Sequence, residues 1–180
     1  MLTHWNKIIA TDCTVIKVGS YIVYPIHRVG FTSLMSVADT TYVNEQISDL
    51  DHINVLIREP ESRFVSGVNE YCRQNKLDVL DTYEKIKNHQ LVDSHFMPQY
   101  IWLMNLYRFF RGEITIRPFG VIANITSVHK RKEPSSMEYR VPVVPLKRFI
   151  AVDKAIIRNT TVQKRYFIKD IIQEYKNVLS

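Results

Sequence analysis

A chain of 180 residues, 46% apolar and 23% charged, has ordinary globular composition and enough apolar mass for one buried core, so residues 1–180 are expected to form a single domain. A total of 24 Lys and Arg against 18 Asp and Glu leaves a net charge of +6, which draws anions at long range without choosing among nucleotide, glycan, nucleic acid and membrane surface. Cys13 and Cys72 stand far apart and in no metal-ligand spacing, which argues against a disulfide framework or a structural zinc and for two small core residues.

Met1 to Lys7 leads into a short apolar stretch broken by Thr11 and Asp12, too short and polar for a signal peptide. No apolar run approaches membrane-spanning length, so the expectation is a soluble, cytoplasmic product with no membrane insertion. Tyr21-Ile22-Val23-Tyr24-Pro25 is a β-rich run, followed by a glycine turn and a helix expected over Thr32 to Tyr42 on Leu34, Met35, Val37 and Ala38. Asn54-Val55-Leu56-Ile57 has the continuous apolar character of a parallel strand covered on both faces. Pro60 suits a first helical position, and Phe64, Val65, Val68, Tyr71 and Cys72 carry helical spacing on to Asn75. This alternation predicts an α/β fold, a small central parallel sheet flanked by helices, whose ligands gather at the carboxyl ends of the strands. Further helices are expected over Leu80 to Asn88, Pro98 to Arg111 and Gln163 to Leu179, with a strand over Glu113 to Arg117. Ser127 to Arg140, polar and basic, reads as an exposed loop.

Two segments suit anions. In Pro25-Ile26-His27-Arg28-Val29-Gly30-Phe31-Thr32-Ser33, Gly30 permits close backbone approach, Thr32 and Ser33 offer hydroxyls, the helix beyond offers N–H groups, and Arg28 supplies charge. The bland alternative is a helix cap at Thr32. In Arg58-Glu59-Pro60-Glu61-Ser62-Arg63-Phe64-Val65-Ser66-Gly67, Arg58 ends a strand and Ser66 lies early in the next helix, so guanidinium and hydroxyl can share one phosphate. Arg63 either approaches the same point or pairs with an acidic neighbour on the helix surface.

Together these segments resemble the sulfotransferases that use 3′-phosphoadenosine 5′-phosphosulfate (PAPS), most closely the Golgi-type carbohydrate sulfotransferases. Arg28, Gly30, Thr32 and Ser33 fall on a Pro-Lys-x-Gly-x-Thr-Ser pattern that holds the 5′-phosphosulfate in that family. Arg58, Pro60, Arg63 and Ser66 fall on an Arg-x-Pro-x-x-Arg-x-x-Ser pattern that holds the 3′-phosphate. His95-Phe96-Met97-Pro98-Gln99 is similar to the family's downstream His-x-x-Pro-Gln. The resemblance spans about residues 20 to 100 and implies a P-loop-like three-layer fold with PAPS as cosubstrate. It also implies 3′-phosphoadenosine 5′-phosphate (PAP) as product, no required metal, and a hydroxyl acceptor, for which a carbohydrate is favoured. On it, Arg28 through Ser33, including Val29 and Phe31, with Arg58, Arg63 and Ser66, hold the nucleotide. Arg28 replaces the family lysine, keeping the charge but not the ready proton donor.

An acceptor hydroxyl needs a base, and histidine titrates near neutrality. His95 ranks first on the resemblance and His27 second on its closeness to Arg28, while either also suits a packed structural role. His52 falls at the wrong end of its strand, and His4 and His89 suggest only surface placement. Lys130 and Arg131, with Lys132, either close over the 3′-phosphate of the nucleotide, attract an anionic acceptor, or form a solvated surface run. The alternatives are a P-loop nucleotide phosphotransferase, weakened by the lack of Gly-x-x-x-x-Gly-Lys-[Ser/Thr], and a nucleotide-binding interaction protein that has lost catalysis. A nucleic-acid reader rests on basic charge alone and is disfavoured.

Overall fold

Thr14–Val18 (β1) and Tyr21–Tyr24 (β2) are β-branched and aromatic runs separated by two residues, and they fold into an antiparallel hairpin with Val18 opposite Tyr21. Gly19, the first turn residue, takes φ 56°, a left-handed conformation that costs glycine nothing. The computed structural model describes residues 12–88, 90–118 and 165–179. Within them the chain continues through Phe31–Met35 (α1), Thr40–Val43 (β3), a 3-10 helix over Asn44–Asp49, His52–Ile57 (β4), Pro60–Asn75 (α2) and Val79–Lys87 (α3). Gln99–Phe109 (α4), Glu113–Pro118 (β5), Arg165–Phe167 (β6) and Ile168–Leu179 (α5) complete it.

The strands form one mixed sheet in the order β3-β1-β2-β4-β5-β6. Its centre is parallel: β2 beside β4, and β4 beside β5. Ile53, Asn54, Val55 and Leu56 are buried in succession, which requires cover on both faces of β4. Asn54 is the polar member of that run, and it is satisfied: Nδ2 donates to the Ile22 carbonyl at 3.1 Å and Oδ1 accepts from Arg117 Nε at 2.8 Å. Helix α4 joins the sheet through Tyr24, whose hydroxyl donates to the Trp102 carbonyl at 3.0 Å, and it packs on α5, while α2 packs on α3. Cys13 and Cys72 are free and buried, as expected of core residues, and burial pushes the Cys13 thiol up to about 12.

The α/β class holds, but the sheet is not wholly parallel, because β1, β3 and β6 pair antiparallel. The helix expected over Thr32 to Tyr42 stops at Met35. Thr40-Thr41-Tyr42-Val43 instead pairs with β1, from Thr14 opposite Val43 to Lys17 opposite Thr40. Tertiary pairing decides here: the β-branched side chains of Thr40, Thr41 and Val43 favour a pleated partner over continued helix. Tyr166 and Phe167, assigned by periodicity to the last helix, lie in β6, and that helix begins at Ile168. Helix α2 matches its expected bounds, with Pro60 at its first position. The basic segment 127–140 lies outside the described residues.

Candidate functional site

The connection leaving β2 is a tight turn in which the Val29 N–H donates to the Ile26 carbonyl at 3.1 Å, and Val29 is fully buried as its anchor. Arg28 and Gly30 both take left-handed backbone, φ 65° and 74°. For arginine this conformation costs about 1–2 kcal/mol, which the surrounding contacts must hold in place. Helix α1 then starts at Phe31 with Gly30 as its N-cap and no side-chain capping bond, so Thr32 does not act as a cap. Thr32 is exposed and Ser33 half-buried.

Helix α2 leaves the end of β4, capped by its own Glu59, whose carboxylate accepts from the N–H groups of Glu61 and Ser62. Ser62, Ser66 and Glu70 recur every four residues and so share a face. That face meets the β2–α1 turn. Arg28 donates to Ser66 Oγ twice, from Nε at 3.1 Å and Nη2 at 2.7 Å, and its Nη1 lies 3.9 Å from Glu70. Arg58 donates from Nη2 to Ser62 Oγ at 2.8 Å and from Nη1 to the Arg28 carbonyl at 3.4 Å. Two guanidiniums from two strand ends therefore meet over one helix face, and the Arg28 side chain keeps 29% of its surface exposed. Burial lowers Arg28 from its ordinary range, against the attraction of Glu70, and the nearby Arg58 and Arg73 lower it further; a guanidinium remains a cation at neutral pH regardless. Glu70 is held down at about 2, chiefly by the hydrogen bond from Arg73.

Beneath this surface a second set of contacts fixes three backbones together. Arg63, only 2% exposed, donates from Nε to the His27 carbonyl at 3.0 Å and from Nη1 to the Met97 carbonyl at 2.5 Å. Burial is at odds with the surface ion pair that the sequence left open for Arg63, and its side chain ties the β2–α1 turn to the His95 segment. Gln99 brackets the main chain of Arg58, accepting from its N–H and donating to its carbonyl, each at 2.9 Å. Gly67 lies where α2 touches that segment: a Cβ there would stand 2.7 Å from the His95 carbonyl carbon and 3.0 Å from Phe96 Cα, and closer still to the His95 oxygen.

The histidines stand side by side at the same end of the sheet, ring centroids 5.6 Å apart. His95 Nδ1 lies 2.6 Å from Asp93 Oδ1, which also accepts the His95 backbone N–H at 2.8 Å. His27 Nδ1 shares a hydrogen bond with Ser94 Oγ at 3.0 Å, and its ring packs against Phe31 and Trp102 at 4.4 and 4.8 Å. Burial first, then the nearby His95 and Arg63, lowers His27 to about 4, so it is neutral at physiological pH. His52 is elsewhere, at the start of β4, bonded to Thr115 Oγ1 at 2.8 Å. Of the aromatics on α4, Trp102 reaches this cluster, whereas Tyr107 carries Arg111 and Phe109 carries Arg108.

Arg28, Gly30, Arg58, Ser66, His27 and His95 thus converge, with Arg63 below them. Lys130 and Arg131 lie outside the described residues, as do His4 and His89. Comparison with known proteins finds no match. Neither a family model nor a curated protein nor a solved structure matches this chain. Among the described residues there is no cluster of three His, Cys, Asp or Glu arranged to hold a metal ion, and no helix long and apolar enough to cross a membrane. Sequence reading passed over Asp93, Ser62, Glu70 and the role of Gly67. A glycine inside a 16-residue helix is itself a signal, since it weakens the helix by about 1 kcal/mol unless something needs the space.

Proposed function

We propose that this protein binds PAPS and transfers its sulfonate to a hydroxyl acceptor, with a carbohydrate as the favoured class on the resemblance set out above. One observation carries the reading: Arg28, from the turn after β2, is bonded to Ser66, from the helix after β4. The 3′- and 5′-phosphates of PAP hang from the same ribose, so residues gripping them must be neighbours although they come from separate segments. The parallel arrangement of β2, β4 and β5 supports a P-loop-like layered fold, in which ligands gather at the carboxyl ends of the strands.

In this reading Arg28 and the donors of the turn through Ser33 face the 5′-phosphosulfate, while Arg58, Ser62 and Ser66 face the 3′-phosphate. Arg63 and Gln99 hold those residues in register. Sulfonate transfer is an in-line exchange between two oxygens, and catalysis is chiefly alignment and charge stabilisation. Arg28 stabilises charge on the departing phosphate oxygen by position, as a guanidinium gives up no proton at this pH. His95, partly exposed and paired with Asp93, is the better placed base. His27, enclosed by Phe31, Trp102 and Ser94, serves as packing beside it.

The test is thermal stabilisation by PAP against ADP, followed by turnover of sulfur-labelled PAPS. PAP alone is expected to raise the melting temperature, and Arg58→Ala is expected to abolish that rise, while its main-chain bonds to Gln99 preserve the fold. Equal stabilisation by ADP would favour a phosphotransferase. Binding of PAP without turnover over a broad set of hydroxyl acceptors would assign a nucleotide-binding protein without catalysis, a reading that the arginine at position 28 specifically favours.

A further inference from the structure

The segment Asp93-Ser94-His95 makes polar contacts in two directions. Asp93 Oδ1 accepts the His95 backbone N–H and lies 2.6 Å from its Nδ1, and the Met97 N–H closes the turn on the Asp93 carbonyl at 3.1 Å. Ser94 reaches the other way to His27. The carboxylate therefore holds the His95 ring from one edge, and Nε2 is the nitrogen left to meet a substrate. The segment cannot drift, because Gly67 admits it against α2 and Arg63 holds the Met97 carbonyl.

We infer that Asp93 is a positioning residue for sulfonate transfer: it fixes His95 with the proton on Nδ1, so that Nε2 presents a lone pair to the acceptor hydroxyl. The inference rests on the sulfotransfer reading and adds to it the group that prepares the base. In the step, Nε2 takes the hydroxyl proton as the acceptor oxygen forms its bond to sulfur. The bond from sulfur to the bridging phosphate oxygen breaks, and its electron pair leaves on PAP. The proton remains on the imidazolium, whose charge the Asp93 carboxylate offsets until solvent removes it. The titratable rings facing His95 from other elements are His27 of the β2–α1 turn and Tyr71 of α2, at 5.6 and 6.4 Å, and the cations Arg28 and Arg63 lie close enough to the neighbouring His27 to lower it. The carboxylate in contact with the His95 ring is that of Asp93, at 2.6 Å from Nδ1, and it is the anion placed to balance an imidazolium there.

The experiment compares wild type, Asp93→Asn, Asp93→Glu and His95→Ala in PAP titration and in single-turnover sulfonate transfer, with nitrogen NMR of the His95 ring as a readout needing no nucleotide. Asp93→Asn is expected to bind PAP as wild type does but to lower the transfer rate by about 10- to 100-fold, less than the roughly 100- to 10,000-fold that the base itself supplies. Asp93→Glu should recover part of that loss, and the wild-type ring should show a protonated Nδ1 and an unprotonated Nε2. Full turnover in Asp93→Asn, or a ring protonated on Nε2, overturns the role of Asp93 and leaves nucleotide binding standing. Failure of wild type to bind PAP overturns the nucleotide reading and this inference with it.

Discussion

Replacing Gly67 by alanine sets two effects of known size against each other. In an unobstructed helix the change gains about 1 kcal/mol of helix propensity. Here the added methyl would sit 2.7 Å from the His95 carbonyl carbon and 3.0 Å from Phe96 Cα, where ordinary contact begins near 3.4 Å. The atoms it meets are backbone, so no side chain can rotate away, and the segment must retreat by roughly 1 Å, at an overpacking cost of about 1–3 kcal/mol. That retreat also strains the Arg63 bond to Met97 and the Gln99 bracket on Arg58. Propensity and overpacking alone leave a loss of up to about 2 kcal/mol, and the strained bonds place it in the upper half of that range, about 1–2 kcal/mol, or about 2–8 °C in melting temperature for a chain of this size. Urea unfolding at neutral pH reads it as a lower midpoint with an unchanged slope. In the same variant turnover should fall further than PAP affinity, because His95 moves while Arg28 and Arg58 stand on other segments. An alanine variant as stable as wild type, or more stable, would refute the close approach of the His95 segment to α2.

Two further outcomes follow from the buried groups. Arg63→Met keeps the aliphatic bulk but leaves the His27 and Met97 carbonyls without their charged donor, so chemical denaturation should show a loss of about 3 kcal/mol or more, with wild-type stability as the contrary result. His27, lowered to about 4 from 6.5, stays neutral in the fold where the unfolded chain takes up a proton, so the unfolded state binds more protons between those values and stability falls as pH drops through that window. The contribution is about 2–3 kcal/mol after allowing for partial exposure. The stability difference between wild type and His27→Gln should narrow by that amount from pH 7 to pH 4, and a pH-independent difference would remove the assignment. Glu70 acts lower, losing its contribution as pH falls below its ordinary value towards about 2.

What the sequence revealed, and what it concealed, divides by range of interaction. Helix α2 was legible because its signals are local, Pro60 to start it and a helical stripe carrying on to Asn75, whereas the left-handed C-cap at Lys76 is visible only in the structure, lysine standing where glycine is usual. Strand β3 was not, because a Thr-rich stretch is poor evidence by itself and its partner, β1, lies more than 20 residues away. The site shows the same division. Its segments could be read one at a time, whereas the bond from Arg28 to Ser66 joins residues 38 apart and the Gln99 bracket joins residues 41 apart. Arg63 illustrates the cost of reading charge without burial: a motif arginine at the right spacing turned out to be a buried tie between two backbones. Asp93 was overlooked because its chemistry appears only when the short turn brings its carboxylate to the ring of His95.

The decisive observation is a crystal of the wild-type protein soaked with PAP. One phosphate is expected within hydrogen-bonding distance of Arg28 and the second on Arg58 with Ser62 or Ser66, both on a single ribose, with His95 Nε2 facing the 5′ end. Phosphates ordered away from both arginines, or no nucleotide at saturating PAP, would contradict the proposed nucleotide site.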